Sequence, residues 1–350
     1  MMQEKYALSI SIPSNGKFEE SKDSIKSAIN FCKLTSSELN ISDNSNDKKK
    51  INYWKNFQAS NIHFLKSKEN NSTKNWYNSI KNASGIYTGI VSDDDIIINI
   101  SNTEVDYKDI YNHNIFGIKP IIQLWNEDVG TYATNQFNLD EENSFQRLLS
   151  YTKLNAGNNT TLFSFFNTNI LKELMELAIY HPTRGGYSDW SFVSGLVSSG
   201  KILHDSSKVL IYKNKNWFGP PDMILKNKVS LYTNCGLTER GILFELFLKA
   251  LDSFIYITRK NSPVSRKEII ETGKLYFQNL ILCFLEKYKN NKGCYSDSEQ
   301  KYISKLSPSN SFEKNIEISL NILEVFNVNL VNKYLNFYNI SLENDWGVVA

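Results

Sequence analysis

Paired cysteines are missing from this sequence. Its four thiols, Cys32, Cys235, Cys283 and Cys294, stand far apart with no C-x-x-C between them. That excludes a zinc ribbon and a dithiol redox centre, and leaves reduced, mostly buried thiols. Histidine is equally scarce, with four residues in the chain, and no Ser-His-Asp order or nucleophilic cysteine context stands out, which argues against a hydrolase. Neither sign of charge prevails. The 39 Lys and Arg residues are scattered and nearly balance 37 Asp and Glu, for a formal net charge of +2, so no nucleic-acid partner is implied. No uninterrupted apolar run reaches the length of a membrane helix. Met1 to Lys5 is polar and leads into a strand-like segment without the apolar core of a signal peptide, so the expectation is a cytoplasmic protein.

What is present is a long chain with α/β rhythm. At 350 residues it can bury a full core, as one large domain or one domain with an extension. Tyr6 to Ile12 alternates and meets Pro13, the pattern of a strand ending in a loop. Ile25, Ala28, Ile29 and Cys32 fall on one helical face, and Ser37 to Ser42 reads as a second strand stopped by Asp43-Asn44-Ser45-Asn46. Ile62 to Leu65 gives a brief third strand, followed by a polar loop from Lys68 to Ser72. Thr73 then reads as the cap of a helix carrying Trp76, Tyr77, Ile80 and Ala83, which Gly85 ends. Residues 100–180 carry no assignable rhythm. Order returns at Gly185-Gly186-Tyr187-Ser188-Asp189, with an amphipathic helix through Trp190, Val193, Leu196 and Val197, then Gly200 and a strand from Lys208 to Tyr212. Beyond Pro220-Pro221, helical patterns over Gly241 to Ile257, Ile269 to Tyr288 and Ile316 to Tyr338 form a C-terminal extension.

The most informative stretch is Ile86 to Val91 followed by Ser92-Asp93-Asp94-Asp95. A β-branched run stops there in three consecutive carboxylates. Adjacent acids repel one another and add nothing to a core, so such a triplet at the end of a buried strand suits a divalent cation and a diphosphate. A solvated acidic loop or a helix cap is the plainer alternative. In an open α/β sheet the carboxyl ends of the strands are where ligands bind.

Five pieces in order resemble the inverting glycosyltransferases of family 2. Ser11-Ile12-Pro13-Ser14-Asn15 looks like their opening strand and loop, Ser42-Asp43-Asn44-Ser45 like the acidic end of the second strand, and Lys74-Asn75 to Gly85 like the helix before the acidic motif. Ser92-Asp93-Asp94-Asp95 resembles their D-x-D element, and Tyr187-Ser188-Asp189-Trp190 their later aspartate motif. The resemblance covers roughly residues 6–217 and implies a GT-A, Rossmann-like mixed sheet flanked by helices, with an α-helical C-terminal extension. The implied domains are 1–220, with a nucleotide-sugar half (1–100) and an acceptor half (101–220), and 221–350. Some positions depart from the family. Ser188 stands where glutamate is common, Tyr212 to Trp217 lacks the histidine that often binds the metal, and the Q-x-x-R-W element of processive synthases is missing, which points to addition of single sugars.

The resemblance implies inverting transfer of one sugar from a nucleotide-diphosphate sugar, with UDP or dTDP as the expected nucleotide, to a hydroxyl of a glycan or lipid-linked acceptor in bacterial surface-polysaccharide or lipooligosaccharide assembly. Mn²⁺ or Mg²⁺ would neutralise the departing diphosphate. Asp95 is assigned chiefly to the metal, Asp93 to the ribose or metal, Asp94 as a sharer, and His204 as a substitute metal ligand, against the plainer reading of a structural histidine. Pro13, Ser14 and Asn15 would line the nucleotide, Asp43 would read the base or simply form a turn, and Lys74 would approach the diphosphate. Asp189 is assigned as the base that takes the acceptor proton, against the plainer reading of an N-cap. His181, in the loop before it, is a candidate contact to donor or acceptor.

Three uses are open to the C-terminal helices: completing the acceptor site, forming a homodimer, or lying against the inner face of the cytoplasmic membrane. Their narrow polar stripe of Glu245, Lys249 and Asp252 favours an ordinary packing face. Two other functions compete. A sugar nucleotidyltransferase would carry a glycine-rich basic loop, of which Ser14-Asn15-Gly16-Lys17 is a poor version. A non-catalytic carbohydrate-binding scaffold would have little reason to keep both the acidic triplet and Asp189.

Overall fold

The computed structural model describes residues 6–57, 59–68, 71–101, 105–113 and 115–343. The polar lead-in Met1 to Lys5 and part of the loop from Lys68 to Ser72 lie outside them. Contacts divide the chain into two compact units. The first takes the residues up to Glu142 with Leu149–Ile179 and Gly200–Gly219. The second takes Asn143–Leu148, Tyr180–Ser199 and the residues from Pro220 on.

The first unit begins β1 (Tyr6–Ser14), α1 (Phe18–Leu34), β2 (Glu38–Asp43), α2 (Lys48–Lys55), β3 (Ile62–Lys66), α3 (Ser72–Ile80), β4 (Gly85–Ile90) and β5 (Ile96–Asn99). It continues with α4 (Tyr107–Asn112), β6 (Ile115–Asn126) and β7 (Gly130–Asn135). After α5 (Ser144–Leu154), whose first residues belong to the second unit, come β8 (Phe165–Asn167) and α6 (Thr168–Ile179). In the second unit α7 (Asp189–Ser199) is followed along the chain by β9 (Lys201–Lys213), which returns to the first unit. Then come α8 (Pro221–Thr233), α9 (Glu245–Ile257), α10 (Arg266–Asn290), α11 (Asp297–Ile303) and α12 (Phe312–Ser341).

Among the described residues nine strands form one sheet that runs β3-β2-β1-β4-β8-β6-β9-β5, with β7 paired to β6. β1 to β4 form a parallel block, β8 reverses against β4 and β6, and β6 and β9 run parallel. This mixed α/β sheet with flanking helices and a helical C-terminal region is the architecture expected of a GT-A-like fold.

Alternation in β1 explains how the sheet is covered. Leu8, Ile10 and Ile12 join Ile25, Ala28, Ile29 and Cys32 in the core. The intervening serines are equally buried and serve the other face, where the Ser11 hydroxyl donates to the Ser79 carbonyl in α3 (2.9 Å). A short hydroxyl lets the backbones come close while leaving no buried polar group unpaired.

Two local expectations are corrected. The cap of α3 is Asn71, whose side chain accepts from Lys74 N, rather than Thr73. Gly85 opens β4 and does not end the helix. A Cβ there would meet the Leu8 carbonyl carbon and Ser9 N at 2.7 Å, so the first residue of β4 to pair with β1 has to be glycine. α7 is buried along nearly its whole length, its serines included. Among the described residues no helix is long and apolar enough to cross a membrane.

In the second unit two buried arginines finish α7. Arg147 Nε donates to the Val197 carbonyl (2.7 Å), and Arg259 donates to the Gly195 carbonyl (3.3 Å) and to Ser199 Oγ (2.9 Å). The last carbonyls of a helix lack intrahelical partners and carry its negative pole, which a buried guanidinium satisfies. α12 is two helices joined at Asn327, whose extended backbone interrupts it and whose side chain accepts from Asn329 N (3.2 Å).

Candidate functional site

In the first unit the acidic turn follows β4 directly. Val91 N bonds the Ser11 carbonyl, Asp95 N bonds the Ser92 carbonyl, and β5 begins at once. The three acids therefore share one tight turn, yet their surroundings differ sharply.

Asp93 is already satisfied by the loop after β1. Its Oδ2 accepts from Ser14 Oγ (2.6 Å), Asn15 N (2.9 Å) and Gly16 N (2.8 Å). A Cβ on Gly16 would stand 3.2 Å from that oxygen, so a small residue belongs there. Behind it Lys50, fully buried, places Nζ 2.8 Å from Asp43 Oδ1 and 3.6 Å from Asp93 Oδ2, and donates to Ser14 Oγ and to the Gly16 carbonyl (2.6 Å). Asp43 is itself fully buried, its other oxygen accepting from Ser45 Oγ (3.1 Å). Asn75, beside Lys74 in the first turn of α3, donates to the Ser14 carbonyl (3.1 Å) and accepts from Ser42 Oγ (2.7 Å). The structure thus brings Pro13, Ser14, Asn15, Asp43 and Asp93 to one sheet edge. Pairing between buried ions needs both partners and their remaining hydrogen bonds, and this cluster supplies them.

Lys50 and its helix α2 escaped the sequence reading. The available signal was Asp47, whose side chain accepts from Lys49 N and Lys50 N as an N-cap. Nothing local distinguishes Lys50 from Lys48 and Lys49, and only the fold shows that it turns inward.

Asp95 is fully buried. Its Oδ1 accepts from Lys213 N (2.8 Å) at the end of β9 and the Ser92 side chain also bonds the carboxyl, while among the described residues Oδ2 meets no donor in good hydrogen-bond geometry. Burial, with Asp94 next to it, pushes this carboxyl up to about 8, despite the Lys213 N–H and Ser92 pulling the other way. Asp94 is also raised, by burial and then by Asp93, with Lys215 and Lys213 opposing. A buried carboxylate oxygen with nothing to accept from is a fit for a cation, because a bound ion would take the place of the proton. Among the described residues no three His, Cys, Asp or Glu side chains converge as a metal-binding group. One or two carboxylates remain, which is the protein share that Mg²⁺ accepts when phosphates and water complete its shell.

His204 is not brought to these acids. It pairs with Lys119 across β6 and β9, whereas Lys213 pairs with Trp125. That offset along the strand corresponds to about 20 Å. Its Nδ1 lies 3.0 Å from the Lys119 carbonyl and its N–H bonds Asn138 Oδ1 (2.7 Å), a structural setting.

In the second unit Asp189 opens α7, and its Oδ1 accepts from Trp190 N (2.8 Å). Ser188, the departure from the expected glutamate, closes the preceding turn by donating Oγ to the Gly185 carbonyl (2.8 Å). Lys249 from α9 sets Nζ 4.3 Å from the Trp190 ring centroid. Burial lowers that amine to about 8, while Asp189 and Glu245 pull it back up. Asp189 therefore lies in the field of a cation.

No family model and no curated protein matches the chain. Among solved structures it is similar to residues 1–349 of S. aureus TarS in complex with UDP, at 14% identity over 91% of this chain and 90% of that chain, with a TM-score of 0.40. The same protein in complex with UDP-GlcNAc gives 13% identity, 91% of each chain and a TM-score of 0.40.

Proposed function

We propose that the chain is a metal-dependent, inverting glycosyltransferase that moves one sugar from a nucleotide-diphosphate sugar to a hydroxyl of a glycan or lipid-linked acceptor. The observation that carries this reading is Asp95. It is a fully buried carboxylate with one oxygen fixed by a backbone N–H and the other, among the described residues, without a donor in good geometry, in a turn that also holds Asp94 and faces Lys213 and Lys215. Burying such a group uncompensated costs several kcal/mol, on the order of 3–5 by analogy with broken buried pairs. A divalent cation and the diphosphate it accompanies would remove that cost.

Asp95, with Asp94, would hold Mn²⁺ or Mg²⁺, which supplies Lewis-acid neutralisation of the diphosphate as it leaves. Lys213 and Lys215 add positive charge to the same place. The loop of Ser14 and Asn15, held rigid through Asp93 and from behind by the buried Lys50–Asp43 pair, forms the nucleotide side together with Lys74, and Asp43, expected to read the base, serves instead in that buried pair. At the sugar, the acceptor oxygen forms its bond to the anomeric carbon as the bond to phosphate breaks. The acceptor proton goes to Asp189, so a single displacement inverts the centre. The nucleotidyltransferase alternative loses support because Asn15 N and Gly16 N, the loop donors that would cradle a phosphate, are used on Asp93.

A thermal-shift titration with UDP, dTDP, GDP and CDP, each with and without Mn²⁺, tests the reading on wild type and Asp95→Asn. Ligands that bind only the native state raise the midpoint. One nucleotide should shift it in a Mn²⁺-dependent way in wild type and lose that dependence in the variant. No shift with any nucleotide would make the non-catalytic scaffold the better reading.

A further inference from the structure

The loop that delivers Asp189 is pinned by groups with no part in the chemistry. From Thr183 to Ser188 nearly every residue is tied down. Arg184 takes a left-handed backbone conformation (φ 53°), which a residue with a side chain adopts only where its surroundings hold it there. The restraint is His181, whose Nδ1 accepts from Arg184 N (3.0 Å) and from Thr183 N (3.3 Å). An Nδ1 that accepts carries no proton, so the ring proton is on Nε2. Nε2 lies 3.1 Å from Asp252 Oδ2 of α9, both side chains almost wholly buried. Further along, Thr183 Oγ1 and Tyr187 OH are 2.7 Å apart, and Tyr187 stacks on Tyr232 at 4.7 Å and 11°.

Asp252 is costly where it stands. Its polar neighbours are His181 Nε2 and the buried Tyr334 hydroxyl, and among the described residues neither meets its oxygens in ideal hydrogen-bond geometry. An apolar residue would pack the same space at lower cost. A buried acid against the one histidine that gathers the loop amides is the arrangement that fixes a ring's tautomer and orientation.

We propose that His181 and Asp252 are positioning residues for Asp189. Asp252 orients the His181 ring, and His181 holds the 183–188 loop in the one conformation that presents the Asp189 carboxylate to the acceptor hydroxyl. This rests on the reading of Asp189 as the base, and gives the C-terminal helix α9 a purpose in the reaction that none of its three expected uses covers.

The test compares His181→Asn, His181→Gln and Asp252→Asn in the full chain, beside Asp189→Asn. Asparagine replaces the Nδ1 acceptor and keeps the loop bonds, whereas glutamine places its amide toward Asp252 and forfeits them. Hydrogen exchange across residues 182–190 should rise about tenfold or more in His181→Gln and Asp252→Asn, and stay near wild type in His181→Asn. Release of nucleoside diphosphate from a UDP- or dTDP-hexose, with water as acceptor, should show kcat falling about tenfold to a hundredfold in the same two variants at unchanged donor KM, with recovery in His181→Asn. Wild-type exchange and kcat in His181→Gln and Asp252→Asn, or losses confined to the melting temperature, overturn the assignment. If Asp189→Asn turns over like wild type, the base reading fails and the positioning role falls with it. If Asp189→Asn is inactive while His181→Gln and Asp252→Asn keep kcat, only the positioning role fails.

Discussion

The acidic turn after β4 and the loop before α7 are built in opposite ways. In the first, Asp93 and Asp95 sit two residues apart on one turn, and their difference comes from which partner each side chain reaches: three donors and a lysine for Asp93, one backbone N–H and the Ser92 side chain for Asp95. In the second, a single aspartate is presented by a loop whose restraints come through His181 from Asp252, distant in sequence. A ligand-holding acid can be made by leaving one buried oxygen unsatisfied. A proton-accepting acid needs a fixed position more than an unusual environment, and position takes a scaffold.

The largest effect should separate the two regions cleanly. Asp189→Asn is expected to lower turnover about 10²- to 10⁴-fold, the span of a lost general base, while nucleotide binding in the thermal titration stays as in wild type. A parallel loss of binding would mean that the two regions do not divide the work as described.

Next comes Lys50→Met, which leaves Asp43 and Asp93 facing each other without their shared cation. It should cost about 3–5 kcal/mol in the urea unfolding free energy, with the loop at 182–190 exchanging as before in the folded protein. A change below about 1 kcal/mol would show that the cluster is solvated and that Asp93 is not held as seen.

The smallest and sharpest effect concerns pH. Burial raises Asp95 to about 8, above roughly 3.9 for the unfolded chain. The stability it contributes is therefore full below about pH 4 and is lost as the pH rises through about 8. Because Mn²⁺ must displace that proton, its apparent affinity should rise about tenfold per pH unit up to about 8 and level off above. Isothermal titration at several pH values measures this. A flat profile, or the same profile in Asp95→Asn, would remove Asp95 from the cation site.

Much of the first unit was legible because its signals are local. The alternation of Tyr6 to Ile12, the helical spacing of Ile25 to Cys32 and the acids after Val91 each report their own structure. Other parts were hidden for physical reasons. β6 contains a fully buried Lys119 followed by Pro120, which breaks the look of an interior strand. β9 extends back to Lys201 through the polar Asp205-Ser206-Ser207, because β6 supplies the pairing that the residues themselves do not advertise. His204 followed the same logic in reverse, since nearness in sequence to the strand end said nothing of how far along the strand it lies.

By itself the sequence determined the α/β class, the first strands and helices along the chain and the placing of three carboxylates at a strand end, because hydrophobic period and turn residues act over a few positions. Only the tertiary structure decided which acid is paired and which is left with a bare oxygen, that Lys50 turns inward, and that Asp252 reaches His181. Charge state and orientation depend on burial and on partners brought from afar, and no local pattern encodes either.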